Sequence, residues 1–282
     1  MRTRFAPSPT GPLHLGHAYS AILAHDRARA AGGSFLLRIE DTDRARVRPD
    51  YETAIYEDLG WLGLDWERPV LRQSDHLSDY EAALERLVAM GLCYPCRCTR
   101  GDIQAALSAP QEGAAHLTPD GLLYPGTCRP RTMAERGAGD AIRLDMARAL
   151  ARVGHAVLWF NETGSEHPGR HRLDPQHLLN TMGDVVLARR DIAAASYHLA
   201  VVVDDARQAV TEVTRGVDLF EATFLHLLLQ ALLELPTPTY YHHRLIRDES
   251  GMRLAKRDDA RAIRKYREDG ATPQDIRRMV GL

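Results

Sequence analysis

RTRFAPSPTGPLHLGHAYSAILAH, residues 2–25, passes from a strand-like segment through a proline- and glycine-bearing loop into an alanine-rich helical pattern. If 3–6 is a first strand and 17–31 a first helix, PSPTGPLHLGH is the loop that joins them. A helix N-terminus at the carboxyl edge of a strand carries unpaired N–H groups and the positive end of the helix dipole, so it favours anions. His14 and His17 stand three residues apart and fall on one side of the first helical turn. Each can donate to a phosphate oxygen, and Gly16 between them leaves room for a flat ligand to approach the backbone. His-x-Gly-His by itself is a weak pattern, equally suited to a loop and a cap. The remaining sequence decides.

Working outward, strand-like runs recur at 35–39, 157–161, 185–188, 199–203 and 210–214, and helical patterns at 51–62, 78–90 and 219–233. LAVVVDD, 199–205, is continuously apolar and ends in acids, which predicts a strand buried on both faces with its carboxyl end at a functional edge. Strands alternating with helices predict an α/β fold with a doubly wound, Rossmann-like parallel sheet. The stretch from Cys93 to Asp184 breaks the alternation. The expected organisation is therefore 1–92 as the first half of a nucleotide-binding domain, 93–184 as an inserted region, 185–248 as the second half, and 249–282 as a loop with a short helical C-terminal segment.

Charge narrows the partners. Thirty-six basic side chains against 38 acidic ones give a net charge of -2, so the whole surface is no general basic platform for nucleic acid. From Glu249 onward nine Lys or Arg face six acids, a local excess that by charge alone reads as a solvated helical face. No signal peptide or membrane-spanning run is readable, which predicts a cytoplasmic protein, and a monomer is the default expectation. Three of the four cysteines cluster in CYPCRC as Cys93, Cys96 and Cys98, and the fourth is Cys128 in YPGTC. Close thiols followed by a distant one predict a metal site rather than a disulfide, with zinc the expected ion.

RFAPSPTGPLHLGH, RIEDTD, CRCTR, YHLAVVVDD, VTRGVDL and RLAKR, in this order and over nearly the whole chain, resemble the class I glutamyl-tRNA synthetase group. The chain ends about 25 residues after Lys256, so the resemblance points to the truncated paralogues of that group, which have no anticodon-binding domain. The resemblance implies a class I synthetase-type sheet with a zinc-bearing insertion between its halves. It also implies ATP-dependent activation of L-glutamate without tRNA, using Mg2+ with ATP, and transfer of the glutamyl group to queuosine at the wobble position of tRNA(Asp), with the anticodon stem-loop as the partner.

The residues carry over one by one. His14, Gly16, His17 and Lys256 would hold ATP, with His14, His17 and Lys256 as the catalytic set and Lys256 neutralising charge as pyrophosphate leaves. Arg4, Phe5, Ala6, Pro7, Ser8, Glu40, Tyr197 and Arg215 fall on the positions that hold glutamate. Glutamate has one cation and two carboxylates, so Glu40 suits the ammonium while Arg4, Arg215 and the Tyr197 hydroxyl suit carboxylates. Which arginine meets which carboxylate stays open. A structural zinc would be held by Cys96, Cys98, Tyr124 and Cys128, with Cys93 a competing fourth ligand. Where the family's second signature reads Lys-x-Ser-Lys, this chain has Arg253 and Ala255 in place of the first lysine and the serine. Two other readings follow from the same residues: a glutamyl-tRNA synthetase variant that charges a tRNA 3' end, or a non-catalytic RNA-binding paralogue. Ala255 leans toward the latter, and His14, His17 and Lys256 lean against it.

Overall fold

The computed structural model describes residues 1–108, 117–118, 121–189, 195–246 and 261–282. The opening stretch forms β1 (Arg2–Phe5) and α1 (Leu15–Ala30), and is followed by β2 (Ser34–Ile39), α2 (Pro49–Trp61), β3 (Glu67–Arg72) and α3 (Leu77–Ala89). β1 pairs with β2 and β2 with β3, all parallel, so each connection is a helical crossover. The alanine content of α1 has a packing reason. Ala18, Ala21, Ala24 and Ala28 are all buried, and side chains this small let the helix lie close to the sheet. α2 begins with Pro49, whose missing N–H falls where no helical partner exists.

The middle of the chain contains β4 (Cys93–Cys96), α4 (Arg100–Ser108), the short pair β5 (Leu117–Thr118) and β6 (Gly121–Leu122), β7 (Ala141–Leu144), α5 (Met146–Val153), β8 (Trp159–Glu162), β9 (Gly169–Arg172), α6 (Pro175–Thr181) and β10 (Val186–Ala188). β10, β7 and β4 make a separate antiparallel sheet in that order. The chain then forms α7 (Tyr197–Arg207), β11 (Glu212–Gly216), α8 (Ala222–Leu232) and β12 (Thr239–His243), and closes with α9 (Ile263–Glu268) and α10 (Pro273–Val280). β12 pairs in parallel with both β11 and β8, and β9 adds to β8 antiparallel. Thus β8 and β9 lie within 93–184 in sequence but extend the second half-sheet, while β10 lies beyond 184 and joins the separate sheet.

The two half-sheets meet where β1 lies against the start of β11. The Thr211 N–H donates to the Arg2 carbonyl at 2.9 Å, and the Arg2 N–H donates to Thr211 Oγ1 at 2.7 Å. The strands therefore run in the order β3, β2, β1, β11, β12, β8, β9, and the chain winds away from this junction on both sides. That is the topological switch point at which doubly wound sheets open a crevice. The expected α/β class holds.

One expected strand is corrected. Residues 199–203 lie in α7, where Leu199, Ala200, Val201 and Val202 are all buried. An apolar run with no polar alternation looks the same in a doubly covered strand and in a helix buried all round. The terminal acids are buried as well, and they bind the site described below. The C-terminal segment is also less solvated than its charge suggested. Ile263 and Ile276 are fully buried in the core of the first half, Arg277 pairs with Asp26 of α1 at 2.6 Å, and Thr272 caps α10. Among the described residues, no helix is long and apolar enough to cross a membrane.

Candidate active site

The switch point opens into a cleft of about 450 Å³, a size typical of small-molecule sites. Arg4, Phe5, Ala6, Pro7, Ser8, Glu40, Tyr197 and Arg215 all line it, together with His17. Four separated pieces of chain converge there: β1 with the loop after it, the end of β2, the N-terminus of α7, and the end of β11. His14 and Gly16 sit at the start of α1 but are not among the lining residues. Lys256, Arg253 and Ala255 lie outside the described residues.

A buried lattice of charge forms the floor. Asp205 of α7 accepts from Arg4 Nε at 3.0 Å and from Arg38 at 2.7 Å, and all three side chains are buried. Burial would raise the Asp205 carboxyl, but the Arg4 and Arg38 guanidinium groups hold it below the usual range. Arg38 also donates to Glu40 Oε1 at 3.2 Å. Glu40 shifts the other way: burial pushes its carboxyl up against the pull of Arg38 and Arg4. Asp204, adjacent to Asp205, accepts from Tyr80 at 2.9 Å and from Gln73 at 2.8 Å. The acids that end LAVVVDD thus tie α7 to the first half of the sheet.

Arg215 is held differently. Its Nε donates to His242 at 3.0 Å and its terminal nitrogens donate to His226 at 3.1 Å, to Thr223 Oγ1 at 2.6 Å, to the Leu219 carbonyl at 3.1 Å and to the Tyr197 hydroxyl at 3.4 Å. Every one of these acceptors is neutral. Burial, assisted by the Arg215 charge, pushes His226 well below its usual value, and burial pushes His242 down to about 4, so both imidazoles stay uncharged. Of the four arginines lining the cleft, Arg4 pairs with Asp205 and Arg46 and Arg189 pair with Asp43, whereas Arg215 meets no carboxylate among the described residues. Arg215 is thus a fixed guanidinium facing the cleft with neutral groups behind it.

At the first turn of α1, Nδ1 of His14 accepts from the Gly16 N–H at 3.1 Å, and Nδ1 of His17 accepts from the His14 N–H at 3.3 Å. The two rings lie 3.8 Å apart. Each histidine therefore accepts a backbone N–H through Nδ1, which places the proton of the ring on Nε2. The cap reading of His-x-Gly-His holds, and of the two rings His17 reaches the cleft wall.

Away from the cleft, the Sγ atoms of Cys96, Cys98 and Cys128 lie within 4.8 Å of one another. The Tyr124 hydroxyl is 3.5 Å from the sulfurs of both Cys96 and Cys98. Cys93 instead belongs to the main hydrophobic core, where burial pushes its thiol up to about 12. Three soft thiols and one phenol converging from two loops fit a tetrahedral, closed metal site. The guanidinium of Arg143 lies 3.8 Å from the centre of the Tyr124 ring, a cation–π contact that seats the phenol against β7.

Sequence reasoning passed over Arg38, Asp204, Asp205, His226, His242 and Glu162, and over Asp43, Arg46 and Arg189 on the cleft wall. RIEDTD and VVVDD contain some of them, and a charge pointing the same way as Glu40 two residues along a strand was a usable signal for Arg38.

Residues 1–120 and 169–282 match the family described as tRNA synthetases class I (E and Q), catalytic domain. A glutamyl-Q tRNA(Asp) synthetase from Rhodobacter capsulatus is 59% identical, with 100% of both chains covered. Another, from Nocardia farcinica, is 43% identical over 97% of this chain and 81% of its own. Among solved structures, a glutamate tRNA ligase from Elizabethkingia meningosepticum, crystallised with its amino acid, superposes with a TM-score of 0.76 at 27% identity. This chain is covered completely in that comparison and spans 60% of the ligase's length. Methionyl-tRNA synthetase from Mycobacterium tuberculosis, at 10% identity and a TM-score of 0.60, shares the fold.

Proposed function

The chain belongs to the class I glutamyl- and glutaminyl-tRNA synthetase family, in its glutamyl-Q tRNA(Asp) synthetase branch, and from that premise we propose that it activates glutamate with ATP and transfers it to queuosine at the wobble position of tRNA(Asp). The observation that carries the reading is the convergence in one cleft of every position assigned to glutamate, with Arg215 meeting no carboxylate among the described residues. Arg215 takes one carboxylate of the amino acid, assisted by the Tyr197 hydroxyl. Glu40 takes the ammonium. Arg4, already paired with Asp205, shapes the floor and contributes through its field rather than as a free charge.

Activation needs no covalent enzyme intermediate. The α-carboxylate of glutamate attacks the α-phosphate of Mg-ATP, forming the glutamyl-adenylate and releasing pyrophosphate. Nε2 of His14 and of His17 donate to the phosphates at the positive end of α1, and Lys256 neutralises the departing pyrophosphate. The acyl group then passes to a hydroxyl of the queuosine cyclopentene ring, with the anticodon stem-loop seated at the cleft mouth. The cytoplasm, where thiols stay reduced, suits the cysteine cluster, and a monomer suffices for the chemistry. Cys96, Cys98, Cys128 and Tyr124 hold a structural zinc that fixes the loops around β4.

Glutamate-dependent exchange of pyrophosphate into ATP, without RNA, tests the first step; no exchange by the folded chain overturns the reading. Labelled glutamate should then enter tRNA(Asp) carrying queuosine and its isolated stem-loop, survive removal of the 3'-terminal adenosine, and be absent from RNA lacking the modification. Labelling that vanishes with the 3' adenosine would mark an ordinary synthetase.

A further inference from the structure

Behind Arg215 lies a second row of buried groups that the reaction does not touch. His242 Nε2 accepts the Arg215 Nε proton at 3.0 Å, so the neutral imidazole must carry its own proton on Nδ1. That proton points at Glu162 Oε2, 2.5 Å away. The other oxygen, Oε1, accepts from the Gly164 N–H at 2.6 Å and from the His242 N–H at 2.9 Å. Glu162 is thus a pure acceptor with each oxygen engaged, on the last residue of β8, directly across the ladder from Tyr240 of β12. The turn that wraps it depends on Gly164, because a Cβ there would lie 2.3 Å from the His242 carbonyl oxygen. Both side chains of the pair are fully buried.

We propose that Glu162 and His242 are positioning residues that fix the direction of the Arg215 guanidinium and keep its charge available to the carboxylate of the bound amino acid. The inference rests on the proposed glutamate activation. A carboxylate in direct contact would neutralise Arg215 as Asp205 neutralises Arg4. Placed one imidazole further back, Glu162 selects the tautomer of His242, and His242 presents only a lone pair to Nε. The result is orientation without a direct ion pair. A hairpin drawn from the middle of the chain, β8 and β9, thereby reaches the amino-acid site through the sheet.

The test uses the intact chain and compares Glu162→Gln, His242→Gln and His242→Leu by pyrophosphate exchange. In Glu162→Gln the amide must turn its NH2 either toward the two backbone N–H groups or toward Nδ1. The latter flips the imidazole and aims a proton at Arg215. The expected result is a rise in the glutamate KM of about tenfold or more, which corresponds to loss of one hydrogen bond to a charged group, while the ATP KM stays within about twofold. His242→Gln keeps an acceptor near Nε and should retain more glutamate affinity than His242→Leu. An unchanged glutamate KM in Glu162→Gln overturns the inference and leaves the function standing. Parallel rises in both KM values, or equal defects in the two His242 variants, overturn it too. If Glu162→Gln does not fold, the His242 pair decides. No exchange by folded wild-type chain would remove the functional reading and this inference together.

Discussion

Arg4 and Arg215 look interchangeable in sequence, since each is an arginine at the end of a strand, and the structure separates them by what stands behind each. Asp205 serves Arg4 and Arg38 at once, and its loss leaves the buried Arg4 without a carboxylate among the described residues while Arg38 keeps Glu40 and Asp204. Removing one partner from a buried ion pair costs about 3–5 kcal/mol, so Asp205→Asn should lower unfolding stability by that order in denaturant titrations, and glutamate affinity with it. Asp58 is the opposite case. Burial pushes its carboxyl up to about 6, Arg267 and Arg264 offset this only in part, and neither of its oxygens has a hydrogen-bond partner among the described residues. Its folded value lies above its unfolded one, so the ionised form penalises the folded state above pH 6, and the penalty fades as pH falls toward 4. Asp58→Asn should therefore stabilise the chain by up to about 3 kcal/mol at pH 7.5 and by nothing near pH 3.5.

Helices and loops show what a linear reading sees and what it misses. The cysteine-bearing segments should lose zinc in Cys98→Ser and Cys128→Ser, with damage confined to the sheet of β4, β7 and β10. Tyr124→Phe, which removes only the oxygen, should weaken zinc retention against a chelator more than Cys93→Ser does, measured as metal content after dialysis. α1 was legible because its loop, cap and alanine face are contiguous in residues 2–25. Arg4 through Ser8 came from the family resemblance, and they line the cleft. α7 was not legible, because LAVVVDD has no period to read and only its covering by neighbours shows it to be a helix. Arg38 and Asp205, 167 positions apart, and Arg215 and His242, 27 apart, meet only after β2, α7, β11 and β12 have assembled. Spacing along a chain carries no trace of such pairs. Similarly, β8 and β9 read as part of an insertion, because sheet membership is settled by which edge a hairpin finds.

Across the molecule, the last residues return to the first loop. Ala262 forms an isolated bridge with His14, and the Ile263 N–H donates to the Leu13 carbonyl at 2.8 Å. On the other side of 247–260, Ile246 packs with Tyr19 of α1 and Val280 of α10. The helix that begins at His14 and His17 is therefore the same body on which the C-terminal tail rests. Where ATP at the start of α1 favours the docked tail, docking favours ATP by the same factor. ATP bound at the start of α1 should slow hydrogen–deuterium exchange at the Ile263 amide and through α9 and α10, and a variant that loosens the tail, such as Arg277→Ala at its contact with Asp26, should weaken ATP by at most the factor by which ATP suppresses opening of the wild-type tail. Nucleotide occupancy would then be legible from the far end of the polypeptide, as a change in how often its last two helices breathe.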